Sequence, residues 1–517
     1  MKIMEEVYKN MIIGAINGFD RIRFRGTLRW LANERGMNSF LSNNNILLKD
    51  FPGFVQHITK NIRNEFENIS TQRGIESIYL RSSKGSKEEL ARSIAKDKNI
   101  ISGPICNFSV LENCYAPRIK GNKAKKTLEL KIIPSKCLHL YHYFDHPIYG
   151  FGHVRLQTWA PYNISICLNG RHWLERDLQK NDIGYLKNKN CFPWLEDIKK
   201  AQELLDTQLT TNWPDMLNGL VEDMLPGFEK LLPLVPEYYW SADDTEWASD
   251  IMFNTKEDLD AIYNDMIYFG LKTSDSPAVM RFLGRQSLKG PAPKEVMSNV
   301  KTRYEGVRIK HYKNGNSVKM YNKSDNILRI ETTITNTRDL KVFRHPDDDK
   351  NRPASWQKMR KGVSDLHRRS EVSQACNDRY ADALAANKIG NKFKKIIEPI
   401  SNAINKAGKR YRGFNPWRND DFIVLSFLAL GQHVLTGFRN KELRNYLYPE
   451  AKRLSPPEQK KYSSRTTRRI KLLRVHGLIK KMPKENRYIL TSKGQKLAAS
   501  LRIVSSVDIK ELMKEAA

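Results

Sequence analysis

Cysteine is sparse in this 517-residue chain: six residues, at 106, 114, 137, 167, 191 and 376, with no Cys-x-x-Cys among them. That scatter argues against a zinc ribbon or a disulfide framework and suits a reducing cytoplasm. Long apolar runs are also missing. The longest, 422–430, already holds a serine and is far too short to span a bilayer. The chain begins Met1, Lys2 and soon reaches Glu5 and Glu6, with no apolar stretch or small-residue cleavage site, so a cytoplasmic rather than secreted protein is expected. No Gly-rich phosphate loop, Gly-x-Ser-x-Gly elbow or His-Glu-x-x-His pair occurs, which disfavours ATPases, serine-elbow hydrolases and zincins. The last deficit is negative charge. Asp and Glu number 57 against 88 Lys and Arg, a formal net of +31. Such an excess repels itself unless a polyanion is near, so nucleic acid is the expected partner. Apolar residues at 40% and aromatics at 10% are enough to build cores, which excludes a wholly disordered basic chain.

A chain this long exceeds what one core usually serves. The expected fold class is α+β, divided into a mixed N-terminal region (1–100), a sheet-rich then helical region (101–283), a central β-meander with a basic helix (299–404) and a C-terminal domain (415–517). Strand-like runs from 103 to about 167 are joined by connections too short for crossover helices, which predicts an antiparallel sheet. From 171 to 282 the pattern reads as helical, broken at Pro214, Pro226, Pro233, Pro236 and Pro277. The segment 284–298 is the best internal boundary on composition, and 356–385 reads as a basic helical stretch.

Residues 420–502 spell helix, helix, helix, hairpin, helix. The third helix starts near Ser463 and is closed by Gly477. This order resembles a winged helix-turn-helix of the kind seen in MarR-type regulators. The resemblance implies that Arg465, Thr466, Arg468, Arg469 and Lys471 lie on a recognition helix facing the major groove. It also implies that Lys480, Lys481, Lys484 and Arg487 form a wing touching phosphates. A winged helix used only for protein contacts is the alternative.

The stretch 306–334 carries the sharpest chemistry. Asn314-Gly315 is a strong hairpin signal, and Ser324-Asp325-Asn326 makes a second turn. Pairing about the first turn sets Ile309 opposite Met320 and Arg308 opposite Tyr321; pairing about the second sets Tyr321 opposite Arg329 and Lys319 opposite Glu331. One face then holds Val307, Ile309, Val318, Met320, Leu328 and Ile330, a core face. The other holds Arg308, Lys310, Lys319, Tyr321, Lys323, Arg329, Glu331 and Thr333. A tyrosine among cations, with a carboxylate one rung away, suits phosphoryl transfer to the phenol. The segment 319–334 resembles the Tyr-Asx-Lys then Leu-Arg-hydrophobic-Glu pattern of rolling-circle replication initiators. That resemblance implies Tyr321 as nucleophile, Lys323 as its cationic neighbour, and Glu331 as a carboxylate near a divalent metal, Mg²⁺ or Mn²⁺; the register adds Arg329 opposite the phenol, where its charge would favour the phenolate. A mixed-charge face that binds phosphate without chemistry is the bland alternative.

Three further clusters complete the candidates. In the strand-like run 19–28, Arg21, Arg23 and Arg25 form a row suited to a phosphate track, and Asp20 is either a metal ligand or the partner of an arginine. In 153–159, Arg155, Gln157 and Trp159 share a face suited to stacking on a base and contacting its edge. His139, His142 and His146 are spaced wrongly for a His-x-His metal motif and read as ordinary surface or capping residues, with His142 and His146 as ligands only if the strand bends at 145–147. Glu112 and Asp250 are lone carboxylates of little weight. The order of motifs also resembles a basic, largely uncharacterised bacterial family with a Phe-Asp-Arg-Ile-x-Phe-Arg-Gly start, a Leu-Gln-Thr-Trp segment and a C-terminal winged helix, which implies association with mobile elements. Three functions stay open: a nickase or transposase using Tyr321, a non-catalytic regulator or partner of a structured RNA, and a nuclease working through carboxylates alone.

Overall fold

The computed structural model describes residues 1–506 apart from 83–84, 125, 170, 233–236, 273–278, 280–281, 284–295, 304–305, 325, 347–351, 386–392, 417, 431–432, 434–436 and 483–484. Most of the boundary at 284–298 therefore lies outside the described residues. The chain forms two compact units, each assembled from separated segments: residues 1–15, 249–332 and 372–517 make one, and 16–248 with 333–371 make the other. Both mix helices with sheet.

Up to residue 358, the strands in chain order are β1 (Ile12–Thr27), β2 (Glu76–Leu80), β3 (Gly103–Asn122), β4 (Thr127–His146), β5 (Gly150–Gln157), β6 (Ile164–Leu168), β7 (Tyr185–Asn188), β8 (Cys191–Leu195), β9 (Tyr239–Phe253), β10 (Met297–Arg303), β11 (Gly306–Lys313), β12 (Asn316–Ser324), β13 (Ile327–Ile334), β14 (Lys341–Arg344) and β15 (Ser355–Lys358). In the unit holding residues 16–248 the order across the sheet is β9-β1-β6-β5-β4-β3-β2. Strands β3 to β6 pair antiparallel in sequence, as their short connections require. Strand β2 joins β3 in parallel, since the helix Lys87–Asp97 provides the crossover. That helix is capped by Ser86, whose side chain accepts from the Glu89 amide.

In the other unit the order is β10-β11-β12-β13, with residues 249–253 of β9 beside β13. Asn314 and Gly315 both take positive φ, 52° and 83°, the geometry of a tight turn matched to strand twist, and β11 pairs β12 in the expected register, Ile309 opposite Met320. The expected core face is buried apart from Val307, which is half-exposed. Ile309, Val318, Met320, Leu328 and Ile330 pack with Leu259, Met266, Tyr380 and Leu384.

Several elements differ from expectation. Within the stretch expected to be helical, Tyr185–Asn188 and Cys191–Leu195 form a paired hairpin and 239–253 folds as a long strand. Residues 355–358 are a strand paired with β14, and the helix expected there begins only at Leu366. At the C-terminus the elements are helices Asn419–Ala429, Asn440–Leu447 and Pro456–Val475, a hairpin of Ile479–Lys481 with Tyr488–Leu490, and a helix Ser492–Ser506, around a shared core of Val424, Leu443, Ile470, Leu473 and Leu497. The third helix starts seven residues earlier than expected because Ser455 and Glu458 form a capping box and Pro456 occupies its first turn. No helix among the described residues is long and apolar enough to cross a membrane.

Candidate functional site

Tyr321 stands half-buried on β12, and its phenol donates to Glu331 Oε2 on β13 at 3.1 Å. Glu331 is 1% exposed and also forms an ion pair through Oε1 with the Lys319 ammonium. Lys319 and Lys323 lie 5.7 and 6.0 Å from the Tyr321 ring centroid. Four of the expected residues are thus together: the Tyr321 phenol, the Glu331 carboxylate that accepts its hydrogen bond, and the Lys319 and Lys323 ammonium groups near the ring. Arg308 and Lys310 are half-buried on the neighbouring strand, Lys310 directly opposite Lys319.

Arg329 is a correction. It is fully buried, and its guanidinium donates to Asp250 through Nε at 2.5 Å and Nη2 at 2.7 Å, a bidentate pair with both side chains at 0% exposure. An arginine held this way is structural and does not reach a ligand. All eight residues of β13 are buried, so its polar face is no solvated surface. Thr332 donates to Asn377 Oδ1, and the Asn377 amide donates to the Ile330 carbonyl and Ser249, tying the helix Leu366–Ala385 to the strand.

In the other unit the arginine row is real: Ile22 and Phe24 are buried while Arg23 and Arg25 are exposed and Arg21 is half-exposed. Two of the three are held by carboxylates, Arg21 by Glu246 at 2.8 Å and Arg25 by Asp243 at 2.7 Å. Asp20 is 7% exposed and accepts from the Asn190 amide at 2.7 Å. Carboxylate oxygens of Asp20 and Glu246 lie within 4.8 Å of each other. Both line a polar cavity of about 160 Å³ with His153, Cys167, Asn169 and Asn190. Burial pushes the His153 pKa down to about 4 and the Cys167 thiol up to about 11.

The Arg155, Gln157, Trp159 row is corrected as a base-reading face. Gln157 is 5% exposed, and its amide is spent on the carbonyls of Trp159 and Ala160. The Trp159 indole donates to Pro117 O, and the Arg118 guanidinium lies over the half-buried ring at 4.1 Å, so one of its faces is already taken by protein. Arg155 donates twice to Glu112. The histidines are structural, and two of the three are buried rather than at the surface as expected. His139 and His142 are buried against Cys137 O and Asn107 Oδ1, and His146 accepts from the amides of Ile148 and Tyr149.

Glu112 has more to do than its isolation in sequence implied. Burial alone would raise its pKa, but hydrogen bonds from Lys87 and Tyr141 and the charge of Arg155 outweigh burial and hold it at about 2. A carboxylate depressed in the folded state adds stability above its unfolded pKa, and that stability is lost as pH falls toward 2. Glu112→Gln is therefore expected to cost on the order of 2–3 kcal/mol at pH 7. Urea midpoints at pH 7 and pH 3 check this, because the gap between wild type and variant must narrow at the lower pH.

On the helix Pro456–Val475, Arg465, Arg468 and Lys471 are exposed along one side, and Lys480 and Lys481 are exposed on the following hairpin. Thr466 is fully buried and donates to Tyr462 O, so it cannot face a groove. Arg469 is turned inward onto Asp421 at 2.8 Å and Asp420 at 3.2 Å, and Asp421 is also gripped twice by Arg412. Arg487 is 7% exposed beside Glu485. Lys484 lies outside the described residues.

No family model, curated protein or solved structure matches this chain. The residues that sequence reasoning undervalued, Glu112, Asp250 and Glu246, share one trait. Each is an acid inside a strand whose cation comes from a distant segment.

Proposed function

We propose that this is a nucleic-acid-processing protein of replication-initiator or transposase type, in which Tyr321 attacks a phosphodiester of a single strand. The observation that carries this reading is the 3.1 Å hydrogen bond from the Tyr321 phenol to the buried carboxylate of Glu331, with Lys319 and Lys323 beside the ring. In the reaction the phenol oxygen bonds to phosphorus and the bond to one nucleoside oxygen breaks. Glu331 takes the phenol proton, and the departing alkoxide recovers it. Lys319 and Lys323 favour the phenolate and the charge that builds on the phosphoryl oxygens. Hard oxygen donors suit Mg²⁺ or Mn²⁺. Asp20, beside Glu246, offers such donors in its own unit, and Glu331 offers one in the other. A bound cation would supply charge neutralisation at a phosphate.

A second reading, a reader of duplex DNA or a structured RNA without chemistry, draws on the exposed cations Arg465, Arg468, Lys471, Lys480 and Lys481. They follow the helix-helix-helix-hairpin order of a winged helix, where such a row would lie along the major groove and the hairpin along phosphates.

One experiment separates the two. Purified protein is incubated with end-labelled single-stranded DNA and Mg²⁺ or Mn²⁺, then denatured. The nicking reading expects a covalent protein–DNA species, and the binding reading expects none.

Either reading expects strong salt dependence. With about six phosphates neutralised, affinity should fall roughly a thousandfold between 50 and 200 mM salt. A flat plot of log affinity against log salt would remove nucleic acid as the partner.

A further inference from the structure

We infer that the β14–β15 hairpin is a stacking platform for single-stranded nucleic acid. It rests on the nucleic-acid reading above and specifies the form of the ligand. The two strands pair antiparallel, with Lys341 opposite Lys358 and Phe343 opposite Trp356. All four side chains project from one face and are exposed, Phe343 at 59% and Trp356 at 52%. Their rings meet edge to face at 5.8 Å, which leaves ring surface open to an incoming partner.

The opposite face shows why the hairpin holds this shape. Val342 and Arg344 are buried, as is Met359 just beyond β15. The Arg344 guanidinium donates to the His345 and Lys358 carbonyls and lies 3.7 Å from Asp365, whose carboxylate also accepts from the Arg360 amide. The exposed aromatics therefore sit on a strapped base.

The exposed face makes little sense as a contribution to stability. Two lysines directly opposite each other repel, and two large rings in water gain little. An anion carrying a flat ring answers both features at once. A phosphate between Lys341 and Lys358 relieves the repulsion. A base one rung away, about 7 Å along the strand, stacks on Trp356 or Phe343. Arg352 and Arg360, flanking β15, are exposed as well. Duplex DNA does not fit, because its bases are stacked on one another and present only edges.

The test uses the full chain with labelled 20-nucleotide single-stranded DNA, single-stranded RNA and a duplex of the same length. Trp356→Ala and Phe343→Ala should each weaken single-strand binding roughly tenfold. Trp356→Phe should retain most of it, and duplex binding should not change. Lys341→Ala with Lys358→Ala should weaken binding and flatten its salt dependence. Because these side chains are exposed, the thermal transition should stay at the wild-type temperature. Photocrosslinking to a 5-bromouracil strand should label the peptide carrying Trp356. If wild type binds the strand, the variants bind it equally and crosslinks map elsewhere, the platform is wrong while the nucleic-acid reading survives. If the variants lose polyglutamate binding but keep the strand, the face takes an acidic polypeptide and the inference is overturned. If wild type binds no strand at all, the broader reading fails and takes this one with it.

Discussion

Tyr321→Phe is expected to leave strand binding within about twofold of wild type and to form no covalent adduct. The change removes one oxygen and keeps the ring, so the contacts of the ring with Lys319 and Lys323 persist while the nucleophile is gone. Glu331→Gln tests the partner. A neutral amide cannot accept the phenol proton, so adduct formation should slow by about 10² to 10⁴, the usual contribution of a general base. The same change also strips Lys319 of its carboxylate, so a thermal transition must accompany the rate. Both variants are read by the same denaturing gel with Mg²⁺ or Mn²⁺. If Tyr321→Phe still yields the adduct at the wild-type rate, the tyrosine mechanism is wrong. If neither protein yields one yet both bind, the carboxylate and phenol only fix the geometry of a binding face.

The paired strands around Tyr321 were legible in the sequence because local rules govern them. Asn314-Gly315 demands a tight turn, alternation sorts Val318 and Met320 from Lys319 and Tyr321, and the register follows from both. What covers the polar face was not legible, because covering is a non-local property. Alternation shows which residues point away from the core, and it says nothing about whether water or protein meets them. Strand β9 shows the same limit more sharply. Its stretch 239–253 carries Asp243, Asp244, Glu246 and Asp250, acids that read as helical or solvated. In the structure Asp243 meets Arg25 and Lys361, Glu246 meets Arg21, and Asp250 meets Arg329, all more than 70 residues away in sequence. The C-terminal elements were readable in order, yet Arg469 and Thr466 faced inward, since a basic helix gives no sign of which cation an inner acid such as Asp421 will claim.

Arg329→Met is expected to destabilise the protein by about 3–5 kcal/mol, a large fraction of the about 5–15 kcal/mol that keeps a domain folded. Arg329 and Asp250 are both at 0% exposure and are joined by two short hydrogen bonds. Their mutual attraction offsets the cost of bringing two charges out of water. Methionine matches much of the arginine volume but supplies no charge or donor, so the Asp250 carboxylate loses its bidentate partner in a dry site. The double variant Arg329→Met with Asp250→Leu removes both charges and should recover most of the loss, since an apolar pair of similar volume is often as stable as a buried ion pair. Urea unfolding of wild type, both single variants and the double variant closes the cycle and yields a coupling energy. A coupling near zero would mean that other neighbours satisfy each charge separately. Because β13 also carries Glu331, the single variant should lose adduct formation in proportion to its unfolded fraction, and the double variant should regain both together. Recovery of stability without recovery of activity would instead give Arg329 a direct part in the chemistry, against its burial.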